Sequence, residues 1–355
     1  MFLFRILLFP FSFLYGIIIL IRNYLYQTKI YGSVTYDFPV ICVGNLNTGG
    51  TGKTPQVEYL IRLLQKNNYL PATLSRGYKR KSVGFILADA NSTADLIGDE
   101  PLQYFKKFKN IFVAVAENRI LGIADLLASS PNIDAVILDD AYQHRAVNAG
   151  FNILITRFDD LFTNDFLLPM GLLREFRNGA KRANAIVVSK SPINISAQEK
   201  QKIISSIRKY STAPIFFSFI KYAEPFSFFT TADINKNLET VLLTGIADHK
   251  LLMKQIELNN KKVIPVSFSD HHRFEITDLE MMHRAILKEG KNWNDYNLIT
   301  TEKDAMRLLP FKFWFEEKKI NLFVMPIEAE FIADDKNNFD QLILQYVYQS
   351  SHDEQ

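Results

Sequence analysis

The chain carries one cysteine, Cys42, among 355 residues. That shortage excludes an intrachain disulfide and any metal site built from cysteines. It fits a reducing cytosol, and Cys42 sits in an apolar run where a small buried side chain is the ordinary use. An excess of one charge is also missing, since 41 Lys and Arg stand against 38 Asp and Glu for a net +3. So small a balance argues against a protein that coats nucleic acid, and no obligate protein partner is expected either. No internal repeat or low-complexity tract interrupts the chain. Hydrophobic residues at 48% and charged residues at 22% match an ordinary soluble protein long enough for two globular domains.

Long apolar runs are scarce too, with one exception at the very start. Met1 to Leu25 reads MFLFRILLFPFSFLYGIIILIRNYL, nearly all apolar, with Arg5 near its beginning and Arg22 closing it. A small-residue cleavage site is missing, which speaks against a signal peptide. The run is barely long enough to span a bilayer, and Arg5 would be costly inside one. A membrane-associated helix is therefore expected over residues 1–27, one that spans the bilayer or, at least as well, lies in or dips into one leaflet, with a helix covering an exposed sheet face as the alternative. Arg22 and Lys29 flank the run and put the rest of the chain on the cytoplasmic side.

The densest chemical signal is ICVGNLNTGGTGKTP, from Ile41 to Pro55. Gly49, Gly50 and Gly52 let backbone N–H groups turn toward a phosphate, with the positive end of the next helix behind them. Lys53 can bridge β- and γ-phosphates, and Thr54 can hold Mg²⁺. The first glycine of the strict phosphate-loop pattern is missing, because Asn47 stands there. The match is to the tighter GGxGKT form, with Thr48 and Thr51 completing the nucleotide-facing loop from Thr48 to Thr54.

After the apolar start, β-rich runs alternate with helix-like runs, the signature of an α/β fold with a largely parallel sheet. Strands are expected at 40–43, 72–75, 111–115, 135–138, 152–156 and 185–189. The i, i+3, i+4, i+7 spacing predicts helices over 55–67 and 118–129. From Pro214 the texture changes: IFFSFIKYAEPFSFF alternates like a strand pair, and a second α/β unit begins at Val241. The expected division is a nucleotide-binding domain over 28–214, a hinge over 215–229 and a smaller domain over 230–348, with SSHDEQ a frayed tail.

Further segments carry chemistry. AVILDDAYQH is a strand ending in Asp139 and Asp140, where carboxylates order Mg²⁺ beside a phosphate loop. His144, four residues on, can bond one of these acids or touch the substrate. IGDEP sets Asp99 and Glu100 before a proline, either a helix cap or a carboxylate that accepts a proton from an attacking hydroxyl. FSDHHRF concentrates Asp270, His271, His272 and Arg273. Adjacent histidines diverge on a strand, so one histidine paired with a distant carboxylate is more credible than a metal pair. SRGYKRKSVG and PMGLLREFRNGAKRA bring clustered arginines, Arg76 and Arg174 among them, able to clamp a phosphate.

In this order, VGNLNTGGTGKTP, LSRGYKR, GDEP, LDDAYQH, PMGLLRE, LTGIADH, FSDHHRF and ITTEKDAMRL make the chain resemble the tetraacyldisaccharide 4'-kinase family over almost its whole length. The resemblance implies a P-loop α/β/α sandwich with a second, smaller α/β domain and a membrane-associated helix. It implies ATP and Mg²⁺ as cofactors and an acylated disaccharide lipid as substrate, at the cytoplasmic face of a Gram-negative inner membrane. Asp99 then falls on the catalytic base and His271 on its supporting histidine, with Asp139 and Asp140 as the acidic pair and Thr54 and Asp139 at the metal. Arg76, Tyr78, Glu100, His144, Arg174 and Glu175 fall on the substrate side. The chain departs from the family pattern at Ala141, Met170 and Leu172, and its doubled histidine leaves His271 and His272 both open as the partner of Asp99. A nucleotide-switched membrane ATPase is the alternative, but such proteins carry a lysine where Thr48 stands.

Overall fold

The computed structural model describes residues 7–246, 249–259, 262–288, 292–333 and 335–352. Arg5, Asp248 in LTGIADH and the last three residues of the tail lie outside them. The strands in chain order are β1 (Val34–Thr35), β2 (Val40–Asn45), β3 (Pro71–Ser75), β4 (Ile86–Leu87), β5 (Phe112–Val115), β6 (Ala135–Asp139), β7 (Val147–Asn148) and β8 (Phe151–Arg157). They continue with β9 (Ala185–Ser189), β10 (Ile215–Tyr222), β11 (Phe226–Ser227), β12 (Glu239–Thr244), β13 (Val263–Ser267), β14 (Tyr296–Thr301), β15 (Leu322–Met325) and β16 (Ile327–Phe331). Each expected strand of the first half is found within two residues of its predicted ends.

A nine-stranded sheet has the order β16-β10-β9-β8-β2-β6-β3-β5-β4, and only its edge pairs β10/β16 and β4/β5 are antiparallel. Alternation along β2 sends Val40 and Cys42 into one core and Ile41 and Val43 into the other, so both faces are covered. The helix Arg119–Ser129 covers one face with Ile123 and Leu126, and the helix Lys53–Lys66 covers the other with Val57, Leu60, Ile61 and Leu64. Asn118 opens the first of these as a cap, its side chain accepting hydrogen bonds from the N–H groups of Ile120 and Leu121. The second begins two residues earlier than predicted, at Lys53, because Gly52 supplies a left-handed turn.

A second, five-stranded sheet has the order β11-β15-β14-β12-β13 and a separate core around Leu243, Leu279, Leu298 and Phe315. The strand pair expected in IFFSFIKYAEPFSFF does not form. β10 pairs with β9 and β16 in the large sheet, whereas β11 pairs with β15 in the small one, so the chain crosses between units at residues 223–225 and not across a hinge of fifteen residues. The far boundary moves as well. β16 and the helix Asp335–His352 return to the large sheet, where Phe339, Ile343 and Val347 are fully buried against the loop helix. Completing the large sheet and its apolar face outweighs keeping the C-terminus with its sequence neighbours, so the second unit ends near Met325, not at 348.

The N-terminal helix Phe9–Gln27 lies along the first unit. Its Ser12, Gly16 and Ile19 are buried, while Phe9, Phe11, Phe13, Leu14, Ile18, Leu20 and Ile21 stay exposed. Ser12 Oγ donates to the carbonyl of Leu167 (2.9 Å) and Tyr15 Oη to that of Arg174 (2.7 Å), so the helix is tied down along one face.

Candidate active site

β2 delivers the chain into the loop 46–52, and the loop is held from beneath. Ser189 Oγ donates to the carbonyl of Thr51 (2.6 Å), Asn45 Nδ2 to Thr51 Oγ1 (2.9 Å), and Thr48 N to the carbonyl of Leu172 (2.7 Å). Above it the loop is open: a side chain built at Gly49 or Gly50 would meet nothing within 4 Å. Gly49 at φ 106° and Gly52 at φ 84° occupy backbone space that favours glycine. At the start of the helix that begins at Lys53 the N–H groups of Gly52, Lys53 and Thr54 precede any intrahelical acceptor, and Pro55 carries no N–H, so three donors make this an anion cradle. Asn47, in place of the missing glycine, is buried and donates to Asp165 Oδ2 (3.1 Å), pinning the loop to the segment 165–173.

Asp139 and Asp140 stand at the end of β6, next in the sheet to β2. Lys53 Nζ lies 3.6 Å from Asp140 Oδ1 and 3.4 Å from Asn45 Oδ1. Burial pushes the Asp140 carboxyl up, but Lys53 and Arg174 outweigh it and hold the group down at about 2. At Asp139 burial, then the charge of Asp140, outweigh Lys53 and push the carboxyl up to about 6, with Tyr104 Oη donating to its Oδ2 at 3.0 Å. A buried carboxylate short of positive charge, beside Thr54 and a phosphate cradle, fits a divalent cation. Among the described residues no group of three or more His, Cys, Asp and Glu could hold a metal ion.

Asp99 opens the helix Asp99–Lys107, which also carries Tyr104. Asp99 Oδ2 receives two donors from the second unit: His271 Nδ1 at 3.2 Å and Arg307 Nε at 2.7 Å. Lys303 Nζ lies 2.9 Å from His271 Nε2. An ammonium only donates, so Nε2 accepts and Nδ1 is the nitrogen assigned the hydrogen that faces Asp99. Burial pushes the Asp99 carboxyl up, but His271, Arg307 and Lys303 outweigh it and hold the group below its ordinary value. Of the doubled histidines, His271 is thus the partner of Asp99, while His272 Nε2 pairs with Asp278 at 2.8 Å.

The residues expected on the substrate side divide. Arg76 and Tyr78 are exposed, the Tyr78 ring edge-on to His271 with centroids 4.8 Å apart. His144 is half-buried with no partner at Nε2 among the described residues, and burial, then Arg119, Arg22 and Arg76, lower its tendency to take a proton. Glu100 is paired with Lys303 (2.7 Å). Arg174 and Glu175 are both held by neighbours. Arg174 is engaged with Asp140 (2.8 Å) and Asn45, and Glu175 is buried in a two-pronged pair with Arg182 at 2.7 and 2.9 Å. Both carry out internal pairing because the segment 165–176 is a wall of the phosphate loop. Sequence reasoning missed Lys303 and Arg307 altogether. The visible signal was TEKDAMR opening a helix directly after β14, with Lys303 and Arg307 four residues apart and so on one face.

The sequence pattern of the tetraacyldisaccharide-1-P 4'-kinase family matches residues 4–348. The chain is 46% identical over 349 residues to the tetraacyldisaccharide 4'-kinase of Flavobacterium johnsoniae, covering 97% of this chain and 98% of that one. It is 47% identical over 351 residues to the Flavobacterium psychrophilum enzyme of the same name, covering 97% of each. A crystal structure of the Aquifex aeolicus LpxK in complex with ATP superposes with a TM-score of 0.74 at 27% identity, covering 97% of this chain and 100% of that one.

Proposed function

Because the chain belongs to the tetraacyldisaccharide-1-P 4'-kinase family, we propose that its two units form the cleft in which ATP meets a lipid-borne sugar hydroxyl. The protein is a kinase of lipid A biosynthesis that uses ATP to phosphorylate the 4'-hydroxyl of a tetraacyl disaccharide 1-phosphate, giving lipid IVA. The observation that carries the site reading is Asp99, a carboxylate of the first unit held from the second by His271 and Arg307. Its helix is tied through Tyr104 to Asp139, beside the phosphate loop.

In this reading Asp99 takes the proton of the attacking hydroxyl, His271 orients it, and Lys53 with the loop N–H groups neutralises charge on the γ-phosphoryl oxygens. Thr54 and Asp139 would hold Mg²⁺, which supplies further charge neutralisation at the phosphates. Arg76, Tyr78 and His144 face the acceptor. The outward apolar face of the N-terminal helix rests in the cytoplasmic leaflet of the inner membrane, and its contacts with the segment 167–174 set that leaflet next to the phosphate loop.

The test follows the fate of ³²P from γ-labelled ATP in the presence of a purified tetraacyl disaccharide 1-phosphate. Label is expected in the lipid. Release as inorganic phosphate, with none in the lipid, would support a nucleotide-switched ATPase instead.

A further inference from the structure

Arg307 is buried and reaches four partners with one guanidinium. Its Nε donates to Asp99 Oδ2 (2.7 Å), and its Nη1 donates to Asp304 Oδ1 (2.9 Å) and to the carbonyls of Gly245 (3.1 Å) and His272 (3.2 Å). Gly245 ends the strand-to-loop turn after β12, and His272 follows the histidine that bonds Asp99. Asp304, itself fully buried, is fixed in turn by the N–H of Gly245 (3.1 Å) and the hydroxyl of Thr301 (2.7 Å). A planar fork held at this many points has one orientation.

The consequence falls on the two oxygens of Asp99. Both donors, Arg307 and His271, go to Oδ2, and among the described residues no hydrogen bond is recorded to Oδ1. We propose that Arg307 is a positioning residue for phosphoryl transfer: with Asp304 behind it, it anchors Oδ2 of Asp99 and leaves Oδ1 as the oxygen that receives the substrate proton. The proposal rests on the reading of Asp99 as the base. Because Arg307 belongs to the second unit and Asp99 to the first, the base is oriented only when the two units are seated together.

The charged and titratable groups around Asp99 are His271 from the loop after β13, Lys303, Asp304 and Arg307 from the helix Glu302–Leu308, and Glu100 beside it on its own helix. Asp270 lies 3.9 Å from His271 Nε2, on the ring's far side. Removing Arg307 therefore takes away the shortest cationic contact of Asp99, and a carboxylate that loses such a partner titrates at higher pH.

The experiment measures lipid phosphorylation against pH for the wild type, Arg307→Lys and Arg307→Gln, with ATP affinity and melting temperature for each, and Asp99→Ala alongside. Arg307→Gln is expected to lower kcat about 10²-fold and to move the acid limb of the kcat profile up by about one pH unit or more, with ATP affinity within about threefold of wild type. Arg307→Lys, which keeps charge and loses the fork, is expected to lower kcat with a smaller displacement of that limb. A uniform loss at every pH in both variants, or wild-type kcat with an unmoved limb, overturns the proposal while an inactive Asp99→Ala leaves the base reading standing. Full turnover in Asp99→Ala overturns the base reading itself. If Arg307→Gln does not fold, Arg307→Lys alone decides by the same limb.

Discussion

Asp139 and Asp140 are neighbours of identical type that the fold drives in opposite directions, one up to about 6 and the other down to about 2. The sequence showed that a carboxylate pair ends this strand. It could not show which member would meet Lys53 and Arg174, because that depends on a segment more than thirty residues away. The same limit hid Arg307, whose partner Asp99 is 208 positions distant, and the internal pairing of Arg174 and Glu175. What was legible were residues whose role is set by the local backbone, such as Gly49 and Gly52. The Asp139 shift yields a stability prediction. Its folded value lies above the unfolded one of about 4, so the folded chain binds that proton more tightly and ionisation costs stability. The penalty is absent below about pH 4 and complete once the pH has risen through about 6, amounting to at most about 3 kcal/mol. In metal-free protein, Asp139→Asn is therefore expected to raise the melting temperature at pH 7.5 and to leave it nearly unchanged at pH 4, while phosphorylation is lost. Equal stabilisation at both pH values would contradict the shift.

Among elements, the N-terminal helix was the part whose existence was plainest in the sequence and whose placement was least so. An unbroken apolar run tells length and not depth. The structure divides it by small residues: Ser12 and Gly16 allow close approach to the protein, and a side chain on Gly16 would come within 3.1 Å of Leu167 and Phe176. The larger apolar groups are left outward, Phe13 at 59% and Ile18 at 63% exposure. In the proposed function the free apolar face of this helix lies in one leaflet. Phe13→Glu combined with Ile18→Glu is expected to reduce sedimentation with anionic phospholipid vesicles by about tenfold or more, since each exchange removes about 1.5–3 kcal/mol of apolar burial. Turnover on detergent-dispersed substrate should be nearly kept. Undiminished vesicle binding would contradict a membrane role for this face. Strands were legible because buried parallel strands read as short apolar runs, whereas the pairing of β10 and β11 was not, since alternation does not say which sheet a strand joins.

For the whole molecule, the deciding feature is that the chain leaves the first unit after β10 and comes back to it at β16. Two crossings bind the units more firmly than one hinge would, and a buried network joins them: Lys107 Nζ lies 2.7 Å from both Glu58 Oε2 of the loop helix and Glu302 Oε1 of the second unit. Burial, then the charge of Glu302, push the Glu58 carboxyl up to about 7 even with Lys107 present. Lys107→Met would take the shared cation from two buried carboxylates, leaving Glu58, among the described residues, only the cation of Arg62 at 3.7 Å, at a cost of about 3–5 kcal/mol. Because Glu58 is raised, that loss should be greatest above pH 7 and shrink as the pH falls and the carboxyl takes up a proton, which thermal unfolding at pH 8 and pH 5.5 would reveal. A loss that is the same at both would contradict the network's role. Phosphoryl transfer in this cleft stands on a base contributed by one unit and held by the other. Its most direct measurement is Asp99→Ala assayed for transfer of γ-phosphate to the disaccharide lipid and, on the same preparation, for ATP affinity. Transfer is expected to fall by about 10²–10⁴-fold with affinity for ATP within about threefold of wild type; transfer within about threefold of wild type would contradict it.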